Sequence, residues 1–327
     1  MIAPRKKATH ICPLVFGAAV LFFCFSGPAL AQYPTKPITL IVPWAAAGPA
    51  DLLWRTLAEP MGKILGQPII VTNKPGGSGA LGAVMVKNAV PDGYTIGHIS
   101  TSSHIMNPYL FDAGHELKDF TYIYNTLGFP LCLLVKADAP WKTYKEFIGY
   151  VKVNPMKVRM GYYGPTGINP VAMKWAAKKE GLQFKEVLYK GDSPGLPALL
   201  GNHIDAFCSA GALVIQVKSG QLRMLMSFTS KPLKGFEDVP TFKDMYGRIV
   251  DSTMGLAGPK GLPPDVVAKL EEAVHKSMGD ANLLKLAESM SAVWVNQNHK
   301  EFTAYMLEMN KTIKEWVDEL GMTQTKQ

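Results

Sequence analysis

The stretch ITLIVPWAAAGPADLLWR, residues 38–55, reads as a strand, a tight loop of small residues and the first turns of a helix. Ile38, Leu40, Ile41 and Val42 form a short, mostly apolar run of the kind buried in a parallel sheet. Pro43 ends it. Ala45, Ala46, Ala47 and Gly48 carry almost no side chain, so a ligand can approach their backbone N–H groups. Gly48-Pro49 fits an N-cap followed by proline at the first helical position. The helix N-terminus therefore opens on the loop, and its unpaired N–H groups and dipole favour a carboxylate or phosphate by ~0.3–1 kcal/mol at an exposed site. The same segment also fits an ordinary βα turn whose Asp51 merely complements the dipole.

Upstream, Arg5, Lys6 and Lys7 precede an apolar run from Leu14 to Phe25, then Pro28 and Ala29-Leu30-Ala31. This is the pattern of a secretory signal peptide over residues 1–31, cleaved after Ala31. The run is too short to span a bilayer, so a soluble, exported, periplasmic protein is expected. Removing the leader leaves 31 basic against 26 acidic residues, a charge of +5 in place of +8. Without a basic cluster interleaved with aromatics, that balance points away from nucleic acid and towards anionic solutes. Of the four cysteines, Cys132 and Cys208 remain, each inside an apolar strand-like run where buried free thiols are commoner than disulfides.

After the first helix, which Pro60 is expected to kink or split and Gly66 to end, PIIVTN (68–73) reads as a strand. Gly77, Gly79 and Gly82 match G-x-G-x-x-G, but the acid expected about 20 residues on is replaced by Thr101-Ser102-Ser103, which argues against a dinucleotide. A glycine-rich turn that lets a helix pack closely on a sheet is the reading preferred. Residues 93–99 form a third strand that runs into Ser100 to His104. Thr101 and Ser102, at a strand's C-terminal end, are candidate ligand donors, whereas His104 lacks a metal-spaced partner and reads as structural.

A strand at 131–136 leaves this unit, and Thr143-x-x-Glu146 opens a helix as a capping box. A second strand–loop–helix follows at 158–180, with Tyr162-Tyr163-Gly164-Pro165-Thr166-Gly167 as its loop and Asn169-Pro170 as N-cap and first helical residue. Two such loops on two similar βα units suggest a cleft between domains. Further on, GDSPG matches the G-x-S-x-G elbow, but a hydrolase needs the N–H after its serine and Pro194 has none. Ser193 is therefore expected to cap a helix with Pro194 at its first position. Strands are expected at 205–208, 222–228 and 254–257, and helices at 263–278 and through Phe302, Met306, Met309, Ile313, Trp316 and Leu320 to Gly321. No paired-carboxylate motif, H-E-x-x-H or Cys/His metal spacing occurs, so neither cofactor nor metal is expected and an exported enzyme is the minor alternative.

YPTKPITLIVPWAAAGPADLLWR, GQPIIVTNKPGGSGALGA, PDGYTI, Asn107-Pro108, LYKGDSPGLPALLGNHIDA, SGQLRML and GLAGPKGLPPDVVAKL together resemble the substrate-binding proteins of tripartite tricarboxylate transporters, the Bug family. The resemblance implies an α/β, periplasmic-binding-protein-like fold of two domains joined by a two-strand hinge that closes over ligand, and the strand runs around Leu133 and Leu256 place the domains at residues 32–132 with 254–327 and residues 133–253. It implies a monomer that delivers a small carboxylate to transporter membrane subunits, or alternatively serves as a sensor for it. In that family the two loops grip the carboxylate largely through backbone groups and waters. The candidate site is thus Trp44, Ala46, Ala47, Gly48, Ala50 and Asp51 with Thr101 and Ser102 on one side. On the other stand Tyr163, Gly164, Thr166, Gly167, Asn169 and Lys190. Ala47 departs from the family's first glycine, Tyr162-Tyr163 from two serine-sized residues, and Thr166 from a glycine, so the pocket is reshaped. If Trp44 and the two tyrosines face each other they favour a planar, aromatic ligand; if the tyrosines turn away they only fill space.

Overall fold

β1 (Ile38–Val42) lies between two parallel neighbours, β2 (Ile69–Asn73) and β3 (Thr95–Ile99), as a buried apolar run requires. The computed structural model describes residues 1–3, 33–164, 167–189, 192–209 and 213–323. The signal peptide with its cleavage point, Thr166 and Lys190 lie outside the described residues. The described strands and helices all lie in one compact unit, Tyr33–Gln327.

In chain order, α1 (Pro49–Leu65) follows β1, α2 (Ala80–Lys87) follows β2, and α3 (Asn107–Leu110) and β4 (Phe120–Gly128) follow β3. Next come β5 (Cys132–Lys136), α4 (Tyr144–Val153), β6 (Arg159–Tyr162), α5 (Ile168–Glu180), β7 (Lys185–Leu188), α6 (Asp192–Leu200) and β8 (Ala206–Ser209). Then α7 (Val214–Lys218), β9 (Leu222–Ser227) and α8 (Phe242–Tyr246) lead to β10 (Met254–Pro259), α9 (Pro264–Ser277), α10 (Ala281–Ser289), β11 (Val293–Gln297) and α11 (His299–Leu320). The strands form two mixed sheets, β11-β4-β10-β3-β1-β2 and β7-β6-β8-β5-β9, one in each lobe of a two-lobe α/β fold.

α1 and α9 cover one face of the first sheet with Leu53, Trp54, Leu57, Met61, Leu270 and Val274. α11 covers the other, and its apolar stripe does not stop there. Phe302 packs edge-on to Tyr122 of β4, while Trp316, further along the same stripe, packs against Trp175 of α5 and Phe242 of α8 beside the second sheet. The indole N–H of Trp175 also donates to Glu319, and Lys178 reaches the Glu319 carbonyl. One hydrophobic core thus runs along α11 from the first sheet to the helices of the second. Its start is set by Asn298, which accepts from the N–H groups of Lys300 and Glu301 while Glu301 accepts in return from Asn298 N–H. Such a cap contributes about 1 kcal/mol.

Four local expectations change. α1 runs through Pro60 as one helix, because Leu57 and Met61 on either side of it are fully buried and hold the turn in place. The N-cap of α5 is Gly167, not Asn169, whose side chain is used elsewhere. α6 already begins at Asp192, so Ser193 lies inside its first turn. β4 and β11 escape the sequence pattern: β4 is buried on both faces and includes Asn125 and Thr126, so it shows no alternation. Cys132 and Cys208 are buried free thiols on neighbouring strands.

His98 of β3 is 2 % exposed, and its Nδ1 accepts a 3.0 Å hydrogen bond from Trp54. Burial pushes it down to about 3. It stays neutral when folded and takes up a proton near its ordinary value when unfolded, so its contribution is complete above about pH 6.5 and is lost as pH falls. His98 alone then predicts a loss of about 2 kcal/mol of stability between pH 7 and pH 5. Urea unfolding at both pH values checks this: His98→Gln, which cannot titrate, flattens the profile, and equal slopes in both proteins overturn it.

Candidate functional site

The carboxylate of Asp51, 2 % exposed, organises the loop after β1. It accepts from Ala47 N–H at 2.8 Å, from Arg55 Nε at 3.0 Å and from Asn73 Nδ2 at 2.8 Å. Asn73, which ends β2, also donates to the Trp44 carbonyl and accepts from Arg55. Burial opposes ionisation of Asp51, but the bonds from Arg55, Ala47 and Asn73 outweigh it and hold the carboxyl below the usual range. Asp51 therefore shapes the loop from within.

Ala47 is left-handed, with φ 61°, which costs an alanine about 1 kcal/mol relative to the glycine that such a position prefers. Its N–H is spent on Asp51. Pro49 has no N–H, so the donors left at the mouth of α1 are those of its next positions, Ala50 and Asp51, which have no carbonyl one turn back within the helix. Ala45, Ala46 and Ala47 are exposed, and the approach to these donors is lined by methyl groups.

Trp44 is half-buried and lies over the glycine-rich turn. A Cβ on Gly79 would stand 2.9 Å from Ser103 Cβ and 3.4 Å from the Trp44 ring, and φ there is 94°, so only glycine fits. Packing therefore accounts for this glycine of the G-x-G-x-x-G match. Asn107 ties the same turn to the next loop by donating to the Ser78 carbonyl at 3.0 Å.

In the loop after β3, Thr101 is buried and Ser102 half-buried. The hydroxyl chain runs instead through Ser100, Ser103 and His104: Ser100 Oγ to Ser103 Oγ at 2.7 Å, then Ser103 Oγ to His104 Nδ1 at 2.7 Å. Ser100 N–H donates to the same nitrogen, so Nδ1 is an acceptor. Burial drives His104 well below the ordinary imidazole range, with His115 adding to the effect.

In the second lobe, β6 and β8 are parallel and end together at Tyr162 and Ser209. Tyr162 is fully enclosed, with the Lys174 ammonium 5.2 Å from its ring centre. Tyr163 is half-buried and turns back on its own loop: a Cβ on Gly167 would fall 2.2 Å from its hydroxyl. Burial and the nearby charge of Asp192 push its phenol up. Asn169 donates to the Ser209 carbonyl, and Ser209 Oγ donates to Asp192. Gly164 borders this corner half-buried, and Gly167 is buried.

The structure thus assembles Trp44, Ala46 to Gly48, Ala50 and Asp51 with Ser103 in one lobe, and Tyr163, Gly164, Gly167 and Asn169 in the other. Among the described residues no hydrogen bond or ion pair joins Trp44–Asp51 to Tyr163–Asn169. Sequence reading missed Asn73, Arg55, Ser103, Asp192 and Ser209. Arg55 closed the 38–55 stretch, Asn73 ended PIIVTN, Ser103 lay in the hydroxyl loop and Asp192 in GDSPG, but none was singled out for its side chain. A groove of about 600 Å³ runs along α1 and the edge strand β2, lined by Arg55, Glu59, Lys63 and Gln67. Among the described residues no group of three or more His, Cys, Asp or Glu is placed to hold a metal, and no helix is long and apolar enough to cross a membrane.

Two α/β lobes with small-residue loops at the mouths of α1 and α5 define a two-lobe solute-binding protein. Residues 53–322 match the model of the tripartite tricarboxylate transporter family receptor, TctC, and the chain belongs to that family of periplasmic receptors. It is 36 % identical over 300 residues to the UPF0065 protein in the gbd 5' region of Cupriavidus necator, covering 90 % of this chain and 91 % of that one. The crystal structure of a TctC solute-binding protein from Polaromonas, without ligand, is similar at TM-score 0.78 and 32 % identity, over 88 % of this chain and 99 % of that one. MatC from Rhodopseudomonas palustris, with bound malate, is similar at TM-score 0.72 and 25 % identity, over 87 % and 100 %.

Asp51→Ala leaves Asn73 and the Ala47 N–H without their acceptor and should cost about 1–3 kcal/mol. Denaturant unfolding measures it, and a loss under about 0.5 kcal/mol, the range of a neutral surface change, overturns the organising role.

Proposed function

We propose that this receptor captures a small carboxylate between its lobes and delivers it to the membrane subunits of a tripartite transporter. The observation that carries the reading is the mouth of α1: N–H groups of Ala50 and Asp51 open on a methyl-lined loop that Asp51 braces from behind. In this reading Trp44 and Ala46 to Gly48 surround the carboxylate, Thr101 and Ser102 flank it, and Tyr163, Gly164, Thr166, Gly167, Asn169 and Lys190 close from the other lobe. The lobes comprise residues 32–132 with 254–327 and residues 133–253. This division is supported by the first sheet drawing its strands from 38–128 and 254–297 and the second from 132–227.

The geometry favours a compact aliphatic ligand over a planar one. Tyr162 is enclosed and Tyr163 folds back over Gly167, which leaves Trp44 as the one ring of the three without such a commitment in its own lobe's loop. The malate bound to MatC is a small aliphatic carboxylate of the same kind.

Thermal shift and calorimetry against succinate, malate, citrate and benzoate test both statements. A ligand at 100 times its Kd should raise stability by ~2.7 kcal/mol. Binding by benzoate with loss on Trp44→Ala overturns the aliphatic reading alone, and no response to these acids or to hydroxy- and aminobutyrates overturns the receptor reading. The lobes close by hinging, so small-angle scattering of the protein saturated with a binding acid should show a smaller radius of gyration. An unchanged radius removes the closure step.

A further inference from the structure

At the C-terminal ends of β6 and β8, Asn169, Ser209 and Asp192 form a buried polar chain. Asn169 Nδ2 donates to the Ser209 carbonyl at 2.8 Å, and Ser209 Oγ donates to Asp192 Oδ2 at 3.0 Å. Asn169 and Ser209 are 0 % exposed and Asp192 8 %. The first of these bonds fixes the amide. Turned over, Asn169 would set Oδ1 against a carbonyl oxygen, two acceptors face to face. Oδ1 is therefore an acceptor, and although enclosed it has no partner among the described residues.

An enclosed acceptor left unsatisfied costs ~1–3 kcal/mol, so this corner suits a group that donates. The charge beside it has the same preference. Asp192 opens α6 next to Ser209, which registers with Cys132 across β5 and β8. Its field reaches both the Cys132 thiol and the Tyr163 phenol, which places the carboxylate beside the loop that carries Tyr163 and Gly164.

We propose that the second lobe reads a hydrogen-bond donor on the ligand, a hydroxyl or an ammonium group, with Asn169 Oδ1 as acceptor and Asp192 as the adjacent negative charge. The proposal rests on the receptor reading above. The two lobes then differ in kind: the mouth of α1 offers donors to a carboxylate, and the corner at Asn169 offers acceptors. A second carboxylate has no hydrogen to offer Asn169 Oδ1, leaves that acceptor unsatisfied and is disfavoured. The ligand class is a small monocarboxylate that also carries a hydroxyl or an amine.

Calorimetry on the whole mature protein tests this with butyrate, succinate, the 2-, 3- and 4-hydroxybutyrates and the corresponding aminobutyrates. At least one substituted acid should bind ~10-fold or more tightly than both butyrate and succinate, the size expected for a hydrogen bond to a charged or enclosed acceptor. Asp192→Asn should shrink that ratio, whereas a merely structural role of Asp192 would weaken the substituted and unsubstituted acids alike. If that variant fails to fold, the ratio in the unaltered protein decides alone. Butyrate or succinate binding as tightly as every substituted acid overturns the proposal, because water then satisfies the corner. Absence of binding by these acids and by succinate, malate, citrate and benzoate overturns the receptor reading and the proposal with it.

Discussion

Everything at the mouth of α1 depends on one buried carboxylate. Asp51 is placed by the first turn of its helix, yet its partners come from the loop before it, from the helix turn after it and from the end of β2. Three segments therefore converge on two oxygens. An ionised carboxylate so enclosed is tolerated because each oxygen is matched by N–H donors, one of them carrying a guanidinium charge. The loop must in turn hold Ala47 in a left-handed conformation that alanine disfavours. The bond from Ala47 N–H to Asp51 offsets that strain, so a departure from the glycine of the family pattern is accommodated by backbone already committed elsewhere.

α11 imposes a second constraint. Its stripe begins on β4 of the first sheet and ends among Trp175, Phe242 and Tyr246, so it is a structural member of both lobes. Any hinge motion has to respect this helix. Closure is compatible with it if rotation occurs about a line near α11, where displacements are smallest, and the two chain crossings at 129–131 and 247–253 carry the rest.

The fold was largely legible because most elements announce themselves by period and punctuation. β1 is an apolar run stopped by proline, α1 has proline at its first position and glycine in the left-handed C-cap, and α11 shows a full stripe ending at Gly321. β4 failed for a physical reason: a central strand with buried Asn125 and Thr126 has neither alternation nor a pure apolar run. The candidate site was legible only as backbone. Loops at helix mouths can be found from glycine, proline and small residues, whereas Asn73, Ser103 and Ser209 matter through contacts between segments far apart in the chain. The tyrosine pair shows the limit most clearly, since adjacent residues took different fates, Tyr162 beneath Lys174 and Tyr163 over Gly167.

What distinguishes the two lobes is the sign of what they leave unmatched. In the first, the carboxylate is consumed internally by Arg55, Asn73 and Ala47, and what faces the mouth is a helix terminus with its N–H groups. In the second, Tyr163 and Gly167 crowd the equivalent terminus of α5, and the atom left unmatched among the described residues is an oxygen, Asn169 Oδ1. A receptor with donors on both sides would grip a dianion symmetrically. Here the chemistry is polarised, because Asp192 stands at the opening of α6 and sets its own negative charge against that helix's dipole. That terminus is thereby matched from within the chain, and under the proposed reading selectivity turns on what lies beside the ligand's carboxylate.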